Sequence, residues 1–191
     1  MAKILVVDDR PDVCQTIEQT LERRGHSVHT AQTVRDGVEA LKRSVHDREP
    51  YEVAIIDLVF ENYAGSDEEK RRAGMQVLSE AVKVPFLEPI MVTAFPSADT
   101  AAAAIPQGVF RYIEKEKGNS TGFMDAVVDA VELAIDNREV FRTLDESLTQ
   151  LRSSLEELKR SNQSLIGAAM NYVKFAENAY HVVLKTRGRH P

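Results

Sequence analysis

A single cysteine, Cys14, in a chain of 191 residues excludes an intramolecular disulfide framework and any metal site built from several thiolates. Basic excess is also missing: 24 Lys and Arg against 30 Asp and Glu leave a net charge of −6. That balance argues against a dedicated nucleic-acid binder, which shows a basic face. No apolar run approaches the ~20 residues of a membrane span. The opening MAKILVV meets Asp8 and Asp9 too soon to serve as a secretion signal. No GxGxxG or Walker-type loop is present, and none of the five histidines falls at metal-ligand spacing. These absences predict a soluble, cytoplasmic protein with no membrane partner, and they argue against a nucleic-acid partner.

What is present divides into two halves of different period. Residues 1 to about 122 alternate short apolar runs with helical stretches. Lys3–Val7, Glu52–Leu58, Pro89–Thr93 and Phe110–Ile113 read as strands, with a weaker one at Ser27–Thr30. The first three are too apolar to have a wet face, as expected when helices cover both sides of a parallel sheet. Pro11 suits a helix start, Val13, Ile17 and Leu21 give its apolar spacing, and Gly25 its stop. Val34, Val38 and Leu41 mark a second helix, Met75–Val82 a third, and Ala98–Ile105 a fourth. Such alternation predicts an α/β fold with a doubly wound, five-stranded parallel sheet. Ligands of these sheets sit beyond the carboxyl ends of the strands, so the residues at those ends carry the functional argument.

Asp8 and Asp9 end the first strand, Asp57 the third, Thr93 the fourth, and Lys115 follows the fifth with Tyr112 three residues before it. Neighbouring carboxylates repel one another unless a cation intervenes. Mg²⁺ takes hard oxygen ligands and keeps several waters. A carboxylate beside it can attack phosphorus, with a hydroxyl and an ammonium to receive the added charge. The runs ILVVDDRPD, VAIIDL, IMVTA and GVFRYIEK, in that order, resemble the four signatures of response-regulator receiver domains, over roughly residues 1–136. The resemblance implies a flavodoxin-like receiver fold in which Asp57 accepts a phosphoryl group from a sensor histidine kinase. Asp8, Asp9, Asp57 and the backbone carbonyl of Val59 would hold Mg²⁺. Thr93 and Lys115 would bond the phosphoryl group, and Thr93 and Tyr112 would act as the switch. The resemblance implies a phosphoacceptor rather than an enzyme, one that can promote its own phosphorylation and dephosphorylation.

Three departures stand out. Glu116 replaces the proline the family carries after its lysine, where a cis bond would now cost ~3 kcal/mol. Phe60-Glu61 replaces Met-Pro after the phosphoacceptor. The stretch from Glu61 to Gly74 is longer than the family's loop and strongly charged, which suits either a solvated excursion or a lid or partner-recognition element. Val59 and Phe95, two residues past Asp57 and Thr93, are apolar where the family sets access of water, so a long-lived phosphoryl-aspartate is expected. Cys14 reads as a small core residue.

From residue 123 the strand signal vanishes, and up to Gly188 the only helix breaker is Gly167. A last receiver helix near 123–136 is expected to run directly into a helical segment, 137–187. There Phe141, Leu148, Leu155 and Asn162 alternate with Leu144, Leu151, Leu158 and Leu165 in steps of three and four. That heptad, with one Asn among apolar positions, predicts a parallel, in-register homodimer. Past Leu165 the register continues through small residues to Val183, while Met170, Val173 and Leu184 widen the stripe toward a bundle or a docking surface. The resulting expectation is a phosphorylation-dependent regulator that signals through a dimeric C-terminal helix to an output protein. Its rivals are an RNA-binding antiterminator, a fragment of a larger receiver-containing enzyme, and a scaffold that works without phosphorylation.

Overall fold

The computed structural model describes residues 1–96, 98–115, 120–161 and 166–186. Its elements run β1 (Lys3–Val7), α1 (Pro11–Glu22), β2 (Ser27–Ala31), α2 (Val34–Ser44), β3 (Val53–Asp57), α3 (Asp67–Lys70) and α4 (Gly74–Ala81). They continue with β4 (Glu88–Thr93), α5 (Ala98–Ala104), a 3-10 turn at Ile105–Gln107, β5 (Arg111–Glu114), α6 (Ser120–Ser161) and α7 (Ile166–Thr186). The strands pair in parallel in the order β2-β1-β3-β4-β5, so the predicted doubly wound sheet forms. β3 and β4 are buried along their whole length, whereas the edge strands β2 and β5 are partly exposed. This burial is why β3 and β4 read as unbroken apolar runs and β2 as a weak signal.

Two cores lie on the two faces of the sheet. On one, Leu5, Val7, Ile56 and Met91 meet Leu41 of α2 and Val77 and Leu78 of α4. On the other, Ile4, Ile55 and Val92 meet Cys14, Ile17 and Leu21 of α1 and Val127, Val131 and Ala134 of α6. Cys14 is thus a core residue, and burial pushes its thiol up to about 11, which leaves it unreactive. The helix expected over Ala98–Ile105 tightens at its end into the 3-10 turn, because Pro106 has no N–H to donate. Gly108 closes that turn at φ 91°, a conformation that suits glycine.

Charged residues also enter the core. Glu88, the first residue of β4, is buried and accepts a hydrogen bond from Asn137 Nδ2 at 2.7 Å. Next to it, Arg138 Nη1 bonds Glu52 Oε2 at 2.7 Å. These contacts tie α6 to the amino ends of β3 and β4. β4 begins at Glu88, one residue before the Pro89 start expected from the sequence, and the Asn137 amide that bonds its carboxylate lies 49 positions away.

α6 has 42 residues and so extends about 63 Å at 1.5 Å per residue. Its first turns cover the sheet, and beyond the buried Phe141 it projects past it. α7 lies back along the projecting part: Arg152 Nε donates to Glu177 Oε1 at 2.8 Å. The heptad register that continues in sequence to Val183 is therefore shared between two helices of a hairpin rather than carried by one rod. Asn162 and Leu165, at the end of the predicted seam, lie outside the described residues, as does Glu116. Among the described residues no helix is long and apolar enough to cross a membrane.

Candidate functional site

In this sheet order the chain turns from β1 to β2 on one side and crosses to β3 on the other. The carboxyl ends of β1 and β3 therefore border the crevice where doubly wound sheets bind ligands. Asp8 stands at the end of β1, held by its N–H to the carbonyl of Ala31 at 3.1 Å. Its Oδ1 accepts the Arg10 N–H at 3.0 Å. Asp57 is the last residue of β3. One carboxylate oxygen from each of Asp8, Asp9 and Asp57 lies within 4.8 Å of the others. Asp8 and Asp57 are buried, while Asp9 is partly exposed and accepts the Asn62 N–H at 3.1 Å.

Lys115 reaches this cluster from the end of β5, two strands away from β3. Its Nζ lies 2.6 Å from Asp8 Oδ2 and 2.8 Å from Asp57 Oδ2. Burial alone would depress the ammonium, but the charges and hydrogen bonds of Asp57 and Asp8 outweigh it and hold its pKa above the usual lysine value. For Asp57 burial wins: it pushes the carboxyl up to about 6, with Lys115 opposing and Asp8 adding to the rise. Three carboxylates against one ammonium leave an excess of two negative charges at a largely buried site that opens to solvent at Asp9. Hard oxygen donors carrying that excess suit a small divalent cation.

Thr93 ends β4 between the strands that carry Asp57 and Lys115. It is buried, its Oγ1 accepts the Phe95 N–H at 3.1 Å, and its carbonyl accepts the Lys115 N–H at 2.7 Å. The loop after β4 and the end of β5 are thus joined through Thr93. Val59 is buried, with its N–H 3.4 Å from Asp57 Oδ1, and Phe95 is 57% exposed at the rim. Tyr112 is half-buried on β5, with its hydroxyl 3.0 Å from Thr100 Oγ1 of α5. The residues singled out at the ends of β1, β3, β4 and β5 therefore lie together at one edge of the sheet, with Tyr112 beside them on β5. Leu144, Leu148, Leu151, Leu155 and Leu158 lie outside this group on α6.

The charged stretch after Asp57 is more ordered than a solvated excursion. Phe60 is fully buried and its N–H bonds the Lys70 carbonyl at 3.0 Å. Ser66 and Glu69 close a capping box over α3. Gly74 returns the chain, donating to the Leu58 carbonyl at 3.0 Å. A Cβ at Gly74 would stand 2.0 Å from the Asp57 carbonyl oxygen, so only glycine admits α4 this close to the site. Gly74 and Asn62 were missed as positioning residues. Asn62 acts through its backbone, which gives no signal in sequence, and a glycine at the end of a charged run reads as an ordinary loop residue. Between α3 and the loop after β4 lies an open cleft of about 490 Å³, lined by Val59, Glu61, Lys70, Arg71 and Phe95.

Comparison with known proteins gives a consistent result. Residues 4–126 match the response regulator receiver domain family. The chain is 30% identical over 174 residues to the transcriptional regulatory protein GlrR of Escherichia coli, covering 89% of this chain and 36% of that protein. It is 29% identical over 168 residues to the response regulator protein PilR of Pseudomonas aeruginosa, covering 83% and 34%. It thus spans about a third of the length of these curated relatives. Among solved structures it is similar to a CheY-like response regulator receiver domain protein from Methanospirillum hungatei (TM-score 0.58, 23% identity, 73% of this chain and 97% of that one). It is also similar to NtrX from Brucella abortus in complex with ATP (TM-score 0.60, 22% identity, 82% and 34%).

Proposed function

The chain belongs to the response regulator receiver domain family, and from that premise we propose that it is a phosphorylation switch in which Asp57 is the phosphoacceptor and the paired C-terminal helices carry the output. The observation that carries this reading is the bridge from Lys115 Nζ to both Asp57 and Asp8, which sets a cation where the charge of a transferred phosphoryl group would settle. Above its pKa of about 6 Asp57 is ionised at neutral pH, and a carboxylate Oδ attacks the phosphorus of a histidine kinase's phosphohistidine. The new O–P bond forms as the donor's P–N bond breaks, and the electron pair leaves with the imidazole. Asp8, Asp9 and Asp57, with the Val59 carbonyl, would hold Mg²⁺, which would neutralise charge on the phosphoryl oxygens.

The remaining work belongs to the chain's own side chains. Lys115 exchanges its bond to the Asp57 carboxylate for one to a phosphoryl oxygen. The Thr93 hydroxyl, now an acceptor for Phe95 N–H, turns to donate to another. Because the Thr93 carbonyl holds the Lys115 N–H, this motion pulls directly on the end of β5, and Tyr112 leaves Thr100. The α5–β5–α6 face changes shape, and the rigid α6 passes the change from the receiver, which ends near 136, to segment 137–187. Moving such an equilibrium from 1:99 to 99:1 requires about 5.5 kcal/mol of differential stabilisation. The bonds from Lys115 and the Thr93 hydroxyl to the phosphoryl oxygens are of the charge-assisted kind that can supply it, with the charge neutralisation that Mg²⁺ would add. The buried Val59 beside the site slows the approach of hydrolytic water. This switch would act in the cytoplasm, on an output protein.

Intact-mass measurement after incubation with acetyl phosphate and Mg²⁺ tests the reading. The wild type should gain one phosphoryl mass and Asp57→Asn none. No adduct on the wild type would leave the scaffold reading in its place. The length of the relatives favours one second reading, in which the chain is the receiver-bearing part of a longer regulator. An open reading frame that continues past Pro191 would support it.

A further inference from the structure

The hairpin of α6 and α7 has two unlike faces. Successive helical residues are turned by about 100°, so each position can be placed relative to the line where the helices touch. On α6 that line passes through the half-buried Leu148 and Leu155; on α7 it passes through Ala169, Val173, Ala176, Tyr180 and Leu184. About a quarter turn to one side on α6 stand Val140, Leu144, Ser147, Leu151, Ser154 and Leu158. Because α7 runs antiparallel, the residues displaced in the same sense on it, Tyr172, Ala179 and Val183, fall on the same side of the hairpin. No charged residue lies on this face among the described ones. The opposite groove between the helices is lined by Arg152, Glu156, Lys159, Lys174 and Glu177 around Leu155, Met170 and Val173.

The charge-free face is open to solvent. Val140, Leu144 and Leu151 are 58%, 47% and 41% exposed, and Tyr172 is 68% exposed. Large apolar side chains at such exposure over two adjacent helices are costly on a lone hairpin, and they mark an interaction surface. A charge-free apolar face on one side, with the charged residues gathered at the opposite groove, suits one layer of a four-helix bundle.

We propose that this face is the interface with a second copy of the chain, two hairpins closing face to face into a four-helix bundle about a two-fold axis. This rests on the reading that the C-terminal segment pairs, and not on phosphorylation of Asp57. Two observations choose the second copy over another protein. In a two-fold contact each patch meets itself, so any charge near the axis would face its own like; this face carries none, while the other carries five. Its size is also right. Two helices of some 20 residues, each about 30 Å long and packed about 9 Å apart, present roughly 600 Å² of flat projection. Doubling that for the two copies reaches the lower end of stable protein interfaces, about 1,200 Å². With the axis parallel to α6 the two receivers stand side by side at one end, so a change at α5–β5–α6 in either one bears on the common bundle.

Sedimentation equilibrium on the full chain tests this, with Leu151→Glu and Tyr172→Glu as the disrupting variants and Glu156→Gln, in the charged groove, as control. Both disrupted side chains are exposed in the single chain, so circular dichroism should show unchanged helix content. The wild type should be dimeric, each disrupting variant should dimerise at least about a hundredfold more weakly, and the control should match the wild type. An equimolar mixture of Leu151→Glu and Leu151→Lys should recover the dimer, because the axis brings residue 151 of each copy to the same layer. A dimer equally strong in both disrupting variants would overturn this interface while leaving pairing through another surface intact. A monomeric wild type would overturn both together. Dimers weakened by the substitutions but not recovered by the mixture would overturn the axis along α6.

Discussion

Replacing Asp57 with asparagine should make the protein more stable at neutral pH in the absence of divalent cations. An aspartate ordinarily titrates near 4, and burial pushes this one up to about 6 even with Lys115 at 2.8 Å. A rise of about 2 units corresponds to about 3 kcal/mol against the ionised form. The amide is isosteric, carries no charge, and leaves Lys115 paired with Asp8. Between about pH 4 and pH 6 the folded state keeps a proton that the unfolded chain has released. Stability therefore falls as pH rises through that window and stays low above it. Urea unfolding with a chelator present should show Asp57→Asn more stable than wild type by about 2–3 kcal/mol near neutrality, with the gap closing toward pH 4 and the urea slope unchanged. Added Mg²⁺ should stabilise the wild type and much less the variant. A variant no more stable than wild type near neutrality, or a gap indifferent to pH, would refute the claim that desolvated charge is stored at this site.

Gly74→Ala puts a Cβ 2.0 Å from the Asp57 carbonyl oxygen and 2.8 Å from Leu58 Cα; it should cost about 3 kcal/mol in urea unfolding, and a loss under 1 kcal/mol would show that α4 can retreat. Asn137→Ala removes a donor from the buried Glu88 and should cost about 1–3 kcal/mol, checked by thermal unfolding; a neutral result would mean that the tie between α6 and β4 contributes nothing. The phosphorylated protein should survive for minutes or longer under native conditions because Val59 is apolar and buried, and Val59→Asn should shorten its lifetime; decay within seconds in the wild type would contradict the water-exclusion argument.

Much of the site was legible because its chemistry sits at the carboxyl ends of strands, and strands buried on both faces announce themselves as apolar runs. Asp8, Asp9, Asp57, Thr93 and Lys115 could be picked out once five runs were placed in parallel. Other parts left no such trace. Nothing near Glu88 in the chain marks it as buried, because its partner Asn137 lies on α6. Gly74 and the backbone of Asn62 act through a close approach and an N–H, which no side-chain pattern encodes. α3 was not expected, since one turn held by a Ser66–Glu69 capping box is too short to show a period.

In the C-terminal half the heptad spacing names residues that share a helix face and is silent on what that face meets. The same apolar stripe can face another chain or a neighbouring helix of its own, since both bury it equally well. The sequence alone determined that a helix would follow the receiver without a linker, because nothing between Gly122 and Gly167 interrupts it. Only the tertiary structure decided that α7 returns along α6, which covers Leu148 and Leu155 and leaves Leu144 and Leu151 exposed. Local periodicity states which residues share a face. What covers that face depends on contacts between segments distant in the chain, and those exist only once it has folded.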